Sequence, residues 1–325
     1  MHHAIVVHRP GGPEEMRFEQ VPRPTPGPGQ ALVRHTAIGV NFLDVYHRTG
    51  LYKLPELPYG LGTEAAGVIE SVGAGVNEVR VGQRVGYVGS KPGSYAQLAV
   101  VDVTRLIPLP DDISDETAAA VLLKGMTVEF LIRRTYALRG GQTVLWHAAA
   151  GGVGSIACQW LRALGVSVIA TVGSDEKARL ATQQGATHTI VYTRENFVER
   201  VRELTGGRGV PVVYDSVGKD TFQGSLDVLS PRGLMVSFGN ASGKPDPVDT
   251  QALAIRGSLY LTRPTLFSYI SSREELMESS TALFSVLRAG VVKVAIGGRW
   301  PLSQAAEAHR TLEARKTTGS LLLIP

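Results

Sequence analysis

Two short stretches of this sequence combine residue types and spacings that suggest chemistry. The first is "WHAAAGGVGSIACQW", residues 146–160. It reads as the end of a strand, a turn and the start of a helix. From Ala148 the pattern is A-x-x-G-x-x-G, with Gly151 and Gly154 as its glycines. Glycines at such a corner let the chain turn tightly, let a pyrophosphate approach the backbone, and let the helix pack closely on the strand. The amides of the helix's first turn then face the phosphate charge. Ala148 stands where the first glycine is usual, so the strict dinucleotide fingerprint is not met. The second stretch is "GLGTEAAGVIESVG", Gly60 to Gly73. It sets a charged residue, Glu64, among small apolar ones. A carboxylate buried there needs a backbone or basic partner. Thr63 is read as offering a hydroxyl toward a cofactor pocket.

A third stretch bears on which dinucleotide would bind. NAD sites place an acid at the end of the second strand, ~20 residues beyond the glycine turn, to hold the ribose 2′-hydroxyl. Here that strand runs into "IATVGSDEK", with Val172 and Gly173 at the corner and Ser174 and Lys177 following. A small corner with a hydroxyl and an ammonium suits a 2′-phosphate, which favours NADPH. Asp175 is the rival feature, but it falls where the first turn of a helix favours an acid anyway. Farther on, "YDSVG" ends a strand at Ser216, and "SFGN" ends another at Phe238, Gly239 and Asn240. In an open parallel sheet, that carboxyl edge is where ligands bind. Asp215 reads as a cap for the turn after its strand.

The elements that must hold these residues follow from the pattern around them. Up to about Ser114 the chain reads as short strands separated by Gly and Pro turns, a barrel-like rhythm. Prolines 22, 24, 26 and 28 mark loop or sheet edge. "SDETAAAVLLKGMTVEFLIRRTYAL" reads as one helix with Ser114 as its N-cap. Six strands then alternate with helices, the signature of a doubly wound parallel sheet. After Pro264 come two amphipathic helices, "REELMESSTALFSVLRAG" and "LSQAAEAHRTLEAR", and a closing strand, "GSLLLIP".

Composition narrows the classes. The 325 residues are 43% hydrophobic and 19% charged, enough for about two globular domains. The 37 glycines exceed the usual ~7% and imply many tight turns. The net charge of +4 is dispersed, and aromatic residues make up 6%, so no nucleic-acid surface is indicated. A single cysteine, Cys158, excludes an intramolecular disulfide and a Cys-rich metal site. With no signal peptide and no apolar run near 18 residues, a cytoplasmic protein is expected. The eight histidines form no close ligand pair. His2 and His3 adjoin, and the others are read as surface or loop residues.

The β-rich first third, the "AAAGGVG" turn and "YDSVG" resemble the medium-chain dehydrogenase/reductase superfamily along essentially the whole chain. Within it, "GLGTEAAG", "LKGMTV", "HAAAGGVG" and "GLMVSFGN" are similar to the zinc-free NADPH:quinone oxidoreductases, the group that includes ζ-crystallin. The resemblance implies an α/β fold, a Rossmann doubly wound parallel sheet plus a GroES-like β-rich catalytic domain. It implies a split arrangement, with 1–123 and 265–325 forming the GroES-like domain and 124–264 the NADPH-binding domain. A homodimer, or a tetramer, is the expected assembly.

The resemblance also assigns roles. Zinc-dependent relatives place a cysteine where "IGVNFLD" has Asn41, and a Gly-His-Glu where this chain has Gly62-Thr63-Glu64. No zinc is therefore expected. Asn41 and Tyr46 are implied contacts of the nicotinamide half of NADPH. Tyr52 is a candidate for the acceptor side, with plain packing as its rival. Thr127 is an implied cofactor contact, and Gly152 and Val153 would meet the pyrophosphate. Gly173, Ser174, Lys177 and Tyr192 would surround the adenosine phosphate. Ser216, Phe238, Gly239, Asn240 and Arg263 would line the sheet edge, and Arg315 would reach in from the tail. Arg263 and Arg315 have surface ion pairing as their alternative role.

Without a Lewis acid, alcohol oxidation is disfavoured, and acceptors that are already electrophilic fit better. The leading expectation is an NADPH-dependent quinone oxidoreductase. The alternative is an NADPH-dependent reductase of activated C=C bonds in enals and enones. A third, from another class, is an RNA-binding or structural, crystallin-like protein.

Overall fold

The computed structural model describes residues 1–54, 56–89, 91–314 and 317–325. The chain divides into two compact units. The first comprises Met1–Met126, Ile270–Arg288 and Val294–Pro325, and the second Thr127–Tyr269 and Ala289–Lys293.

In the first unit the strands in chain order are β1 (His2–Val7), β2 (Met16–Val21), β3 (Gln30–Val40), β4 (Tyr59–Gly60), β5 (Glu64–Val72), β6 (Arg84–Val88), β7 (Leu98–Asp102) and β8 (Leu106–Pro108). One sheet has the order β2-β1-β4. The larger one runs through β3-β5-β6-β8, with β7 also paired to β3. Apolar residues of these strands, among them Ile5, Val33, Ile38, Ile69, Val85 and Leu106, form one core cluster. Helix α1 (Phe42–Arg48) follows β3 directly. Helix α2 (Asp115–Phe130) begins at the Ser114 cap, whose hydroxyl accepts from the Thr117 amide at 3.1 Å.

The second unit holds strands β9 (Thr143–Trp146), β10 (Ser167–Val172), β11 (His188–Val191), β12 (Val210–Asp215), β13 (Leu229–Ser237) and β14 (Tyr260–Thr262). They form one sheet in the order β11-β10-β9-β12-β13-β14, parallel throughout. The order reverses between β10–β9 and β9–β12, a topological switch point. Helices α3 (Gly152–Ala163), α4 (Asp175–Gln184), α5 (Phe197–Leu204), α6 (Phe222–Asp227) and α7 (Thr250–Ile255) connect the strands, and α8 (Leu266–Tyr269) follows β14. Buried Leu145, Ile169, Val213, Leu226 and Met235 belong to the core on one side of the sheet.

The tail belongs to the first unit again, with α9 (Arg273–Arg288), β15 (Ile296–Pro301), α10 (Ala305–Glu313) and β16 (Ser320–Ile324). β16 pairs antiparallel with β3, Leu322 opposite Gly39, and β15 lies parallel to β16.

Two local expectations are corrected. The helix after Ser114 does not run evenly to Leu138, because α2 gives way to a π-helical turn at Leu131–Thr135. Strand β15 was not evident in "IGGRWP", where two glycines and a proline mask the alternation.

Candidate active site

The first unit gathers its candidate residues where β3 meets α1. Asn41 is the N-cap of α1, and its backbone amide donates to the Asp44 carboxylate at 2.9 Å. The Asn41 side chain donates through Nδ2 to Glu64 Oε1 at 2.7 Å. Glu64 is fully buried at the start of β5. Its Oε2 accepts from the Leu123 amide at 2.7 Å, and its Oε1 lies 3.3 Å from the Lys124 ammonium. The expensive burial is thus offset by a backbone donor, an amide and a cation. Gly39 makes the room, since a Cβ there would stand 2.3 Å from both Glu64 Oε1 and the Ala119 carbonyl.

Thr63 is used differently from expectation. It is 1% exposed, and its hydroxyl donates to Asp44 Oδ1 at 2.9 Å, so it does not reach toward a pocket. Asp44 also accepts from the Tyr95 hydroxyl at 3.0 Å. A directed chain continues from there. Arg48 can only donate, so its Nη1 gives a hydrogen bond to His309 Nδ1 at 2.9 Å. The other ring nitrogen, Nε2, then donates to the Tyr95 oxygen at 3.0 Å, and Tyr95 donates to Asp44. Both Arg48 terminal nitrogens hold Glu313 at 2.9 Å. Burial drives His309 down to about 3, which keeps the ring neutral as this chain requires. Of these partners, the sequence alone points only to Asn41, Thr63 and Glu64. The signal available was "NFLDVYHR", whose Asp44 and Arg48 lie one helical turn apart.

Tyr46 is buried, and its ring lies 5.2 Å from that of half-buried Tyr52, whose amide donates to the Tyr46 carbonyl at 3.0 Å. The two tyrosines therefore form one aromatic group at the end of α1.

The second unit places its candidates along the carboxyl edge of the parallel sheet. The turn after β9 carries Ala148 in the left-handed region, φ 52°. This is the position where a first glycine is usual. Helix α3 starts at Gly152, so Gly152 and Val153 present first-turn amides. A Cβ on Gly154 would stand 2.6 Å from Ala149 Cα, so the third glycine sets the helix-to-strand approach. After β10, Gly173 lies against Tyr192, whose hydroxyl would be 2.8 Å from any added Cβ. Ser174 is the N-cap of α4 and accepts from the Lys177 amide at 3.3 Å.

The loops after β12 and β13 are joined by hydrogen bonds. Phe238 donates to the Asp215 carbonyl at 2.8 Å, and Ala241 to the Ser216 carbonyl at 3.2 Å. Gly239 is required by this approach, because a Cβ would meet the Ser216 carbonyl at 2.4 Å. Asn240 is buried beside Gly218. Arg263 donates from Nη1 to the Ser237 carbonyl at 2.8 Å, which holds its guanidinium at the same edge. Thr127 lies on α2. Arg315 lies outside the described residues.

The histidine reading is also corrected. His35, His47, His147 and His309 are all buried. His147 lies 2.9 Å from Ser225 Oγ, which donates to Asp215 at 3.2 Å. This mimics a hydrolytic triad but cannot act as one. The serine proton already points to the aspartate, so His147 Nε2 must donate to Ser225 rather than remove its proton. Asp215 is also filled by the amides of Val217 and Gly218 and by the Thr221 hydroxyl, as a turn cap. Cys158 is buried, and burial pushes its thiol up to about 12, so it is inert.

Comparison with known proteins places the chain in a family. Residues 27–111 match the family model of the alcohol dehydrogenase GroES-like domain, and residues 152–283 that of the zinc-binding dehydrogenases. A quinone oxidoreductase of Pseudomonas aeruginosa is 53% identical over 315 residues, 97% of each chain. The chain belongs to the quinone oxidoreductase family of medium-chain dehydrogenases/reductases. Another member of known structure, the Escherichia coli quinone oxidoreductase complexed with NADPH, matches with a TM-score of 0.98 at 49% identity, covering 99% of this chain and 100% of that one. A 2-haloacrylate reductase of a Burkholderia species is 46% identical over 99% of this chain and 98% of its own length.

The zinc that one family model's description implies does not suit these side chains. Asn41 turns an N–H donor toward Glu64, and Thr63 gives its hydroxyl proton to Asp44. Glu64 is committed to three donors. Among the described residues, no group of three or more His, Cys, Asp or Glu side chains is placed to hold a metal ion. Catalytic zinc takes His, Cys or carboxylate ligands, and Glu64, the one carboxylate among these three residues, is already engaged.

Proposed function

We propose that this chain is an NADPH-dependent quinone oxidoreductase that works without zinc, as a cytoplasmic homodimer. The observation that carries the reading is the filled polar group at Asn41, Thr63 and Glu64, together with the full-length similarity to quinone oxidoreductases. A site whose carboxylate is held by an ammonium and an amide offers no metal to polarise an alcohol. It suits acceptors that are electrophilic on their own.

The second unit's residues fit a dinucleotide. The α3 amides at Gly152 and Val153 would face the pyrophosphate. Gly173, Ser174, Lys177 and Tyr192 would take the 2′-phosphate, and Ser216, Phe238, Gly239, Asn240 and Arg263 the sheet-edge portion. Thr127 and Arg315 complete the set. When bound, NADPH supplies a hydride from C4 of its nicotinamide. Asn41 and Tyr46 orient that half of the cofactor, and the Glu64–Asn41 hydrogen bond fixes the amide that does so. Tyr52, braced against Tyr46, faces the acceptor and excludes water from it.

The 46% identity to a 2-haloacrylate reductase supports a second reading, reduction of activated C=C bonds. NADPH oxidation measured against a panel of quinones, enones and 2-haloacrylates separates the two. The quinone reading predicts the highest kcat/KM with a quinone, and turnover confined to the unsaturated acids would sink it. The cofactor assignment has its own test. Lys177→Ala raises KM for NADPH about tenfold, the worth of one charge-assisted hydrogen bond, and leaves KM for NADH nearly unchanged. Equal effects on both would remove Lys177 from the 2′-phosphate.

A further inference from the structure

The corner proposed for the 2′-phosphate also carries an acid. Asp175 opens α4 directly after Ser174 and is exposed. Left alone, a carboxylate there would repel a phosphate dianion. It would also accept hydrogen bonds from an unphosphorylated ribose, as the acid of NAD sites does. It is not alone. Arg194, two residues beyond Tyr192 in the turn after β11, takes both of its oxygens in a fork, each at 2.7 Å. The same turn is tied to the corner by Thr193, whose hydroxyl donates to the Gly173 carbonyl at 3.4 Å. Arg194 therefore reaches Asp175 from the segment that carries Tyr192. The fork occupies two of the guanidinium's five N–H donors. The hydrogen bond from Arg194 is the chief reason the Asp175 carboxyl is held below its ordinary range, so the acid is ionised and its charge is met.

We propose that Arg194 is a specificity-determining residue for NADPH over NADH, acting by masking Asp175. With the fork closed, the corner presents the Ser174 hydroxyl, Lys177 and the outer N–H groups of Arg194 to the 2′-phosphate. With Arg194 gone, the same corner presents a bare carboxylate and becomes an NAD-type ribose site. Specificity here comes from silencing a repulsive group as well as from supplying attractive ones. The inference rests on the NADPH reading above.

The test is calorimetric titration of 2′,5′-ADP and of 5′-AMP into the full chain, for the wild type, Arg194→Ala, Asp175→Ala and the double variant. NADPH and NADH kinetics are measured alongside. The pair is exposed, so all four proteins are expected to fold, and a melting curve for each verifies it. Arg194→Ala should weaken 2′,5′-ADP about tenfold and leave 5′-AMP equal or tighter. That shift is sized by exposing one like charge beside the phosphate. Asp175→Ala alone should leave the preference for 2′,5′-ADP unchanged or raise it. The double variant should recover most of the affinity that Arg194→Ala forfeits. Unchanged selectivity in Arg194→Ala overturns the proposal. A double variant as poor as Arg194→Ala, or a loss of 2′,5′-ADP affinity in Asp175→Ala alone, also overturns the masking role. A wild type that binds 5′-AMP as tightly as 2′,5′-ADP and prefers NADH sinks the NADPH reading itself, an outcome distinct from the other three.

Discussion

Glu64 shows how a side chain that looks misplaced becomes the centre of a site. Its three donors come from three places in the sequence, Asn41, Leu123 and Lys124. Removing the acid strands an ammonium that is 8% exposed, together with a buried amide. Glu64→Ala should therefore cost about 3–5 kcal/mol, the range for breaking a buried pair by deleting one partner. Combining Glu64→Gln with Lys124→Met should recover more than half of that, because the carboxamide oxygen still accepts and no charge is left unpaired. Urea unfolding midpoints of the three proteins decide it. The need for a partner was legible from "GTEAAG"; the partners' identities were not, because residues 59 and 60 positions away leave no local pattern. Asp44 yields a pH prediction. Burial pushes its carboxyl up to about 7, against the pull of the Asn41, Thr63 and Tyr95 donors. The folded chain thus holds a proton that the unfolded chain, with a carboxyl pKa of ~3.9, has released. Stability must fall as pH rises from about 4 to about 7 and level off above that. The rotatable Thr63 hydroxyl makes both states possible, donating to the carboxylate or accepting from the acid. Relative to Asp44→Asn, the wild type should lose about 2.5 kcal/mol between pH 5 and pH 8. A parallel pH dependence of the two proteins in urea titrations would show that Asp44 stays ionised throughout.

At the scale of elements, the junction of β9, its turn and α3 is the most constrained local structure in the second unit. Ala148 occupies a left-handed conformation at φ 52°, which costs an L-residue about 1–2 kcal/mol. Glycine there would remove that strain but lose about 0.5–1 kcal/mol in the flexibility of its unfolded state. Ala148→Gly should therefore stabilise the protein by about 0.5 kcal/mol, read as a higher denaturant midpoint. Gly154 behaves in the opposite way. A methyl group would strike backbone atoms of Ala148 and Ala149 at 2.6 Å, and backbone cannot move aside as a side chain tip can. Gly154→Ala should cost at least about 1–3 kcal/mol and weaken NADPH binding by shifting the α3 amides. Both effects were partly legible. The A-x-x-G-x-x-G pattern located the turn, and Ala148 was visible as a departure from the fingerprint. That the departure is accommodated by a strained alanine needed the backbone angles. The parallel sheet was legible because each of its strands is an apolar run closed by a turn. The π-helical turn at Leu131–Thr135 and strand β15 were not, since neither has a residue pattern of its own.

At the scale of the whole molecule, the sequence order of the β-rich and alternating segments shows the fold class, and long-range pairing supplies the rest. β16 joins β3 across more than 280 residues of chain, Leu321 opposite Val40, a partnership no periodicity could reveal. Four histidines read as surface or loop residues are buried, and three of them, His35, His147 and His309, have polar partners that only the assembled chain provides. His35, for instance, donates to the Ala96 carbonyl at 2.7 Å and accepts from the Tyr87 hydroxyl at 3.0 Å. This bears on what the molecule should do when ligands are added or removed. A structural or catalytic metal contributes to stability by binding the folded state, so stripping it lowers the melting temperature and abolishes turnover. The Glu64 carboxylate is already paired with an internal cation, Lys124, and with the Asn41 amide, and the zinc-free reading proposed above rests on that pairing. Dialysis against a strong chelator should leave both the melting temperature and quinone-dependent NADPH oxidation unchanged. NADPH itself should act oppositely. At a free concentration one hundred times its Kd it should stabilise the fold by about 2.7 kcal/mol, whereas NADH at the same concentration gives far less. Differential scanning fluorimetry with chelator, NADPH and NADH in separate wells reads all three at once. A melting temperature that drops with chelator and returns with zinc would show that the ammonium does not replace the metal.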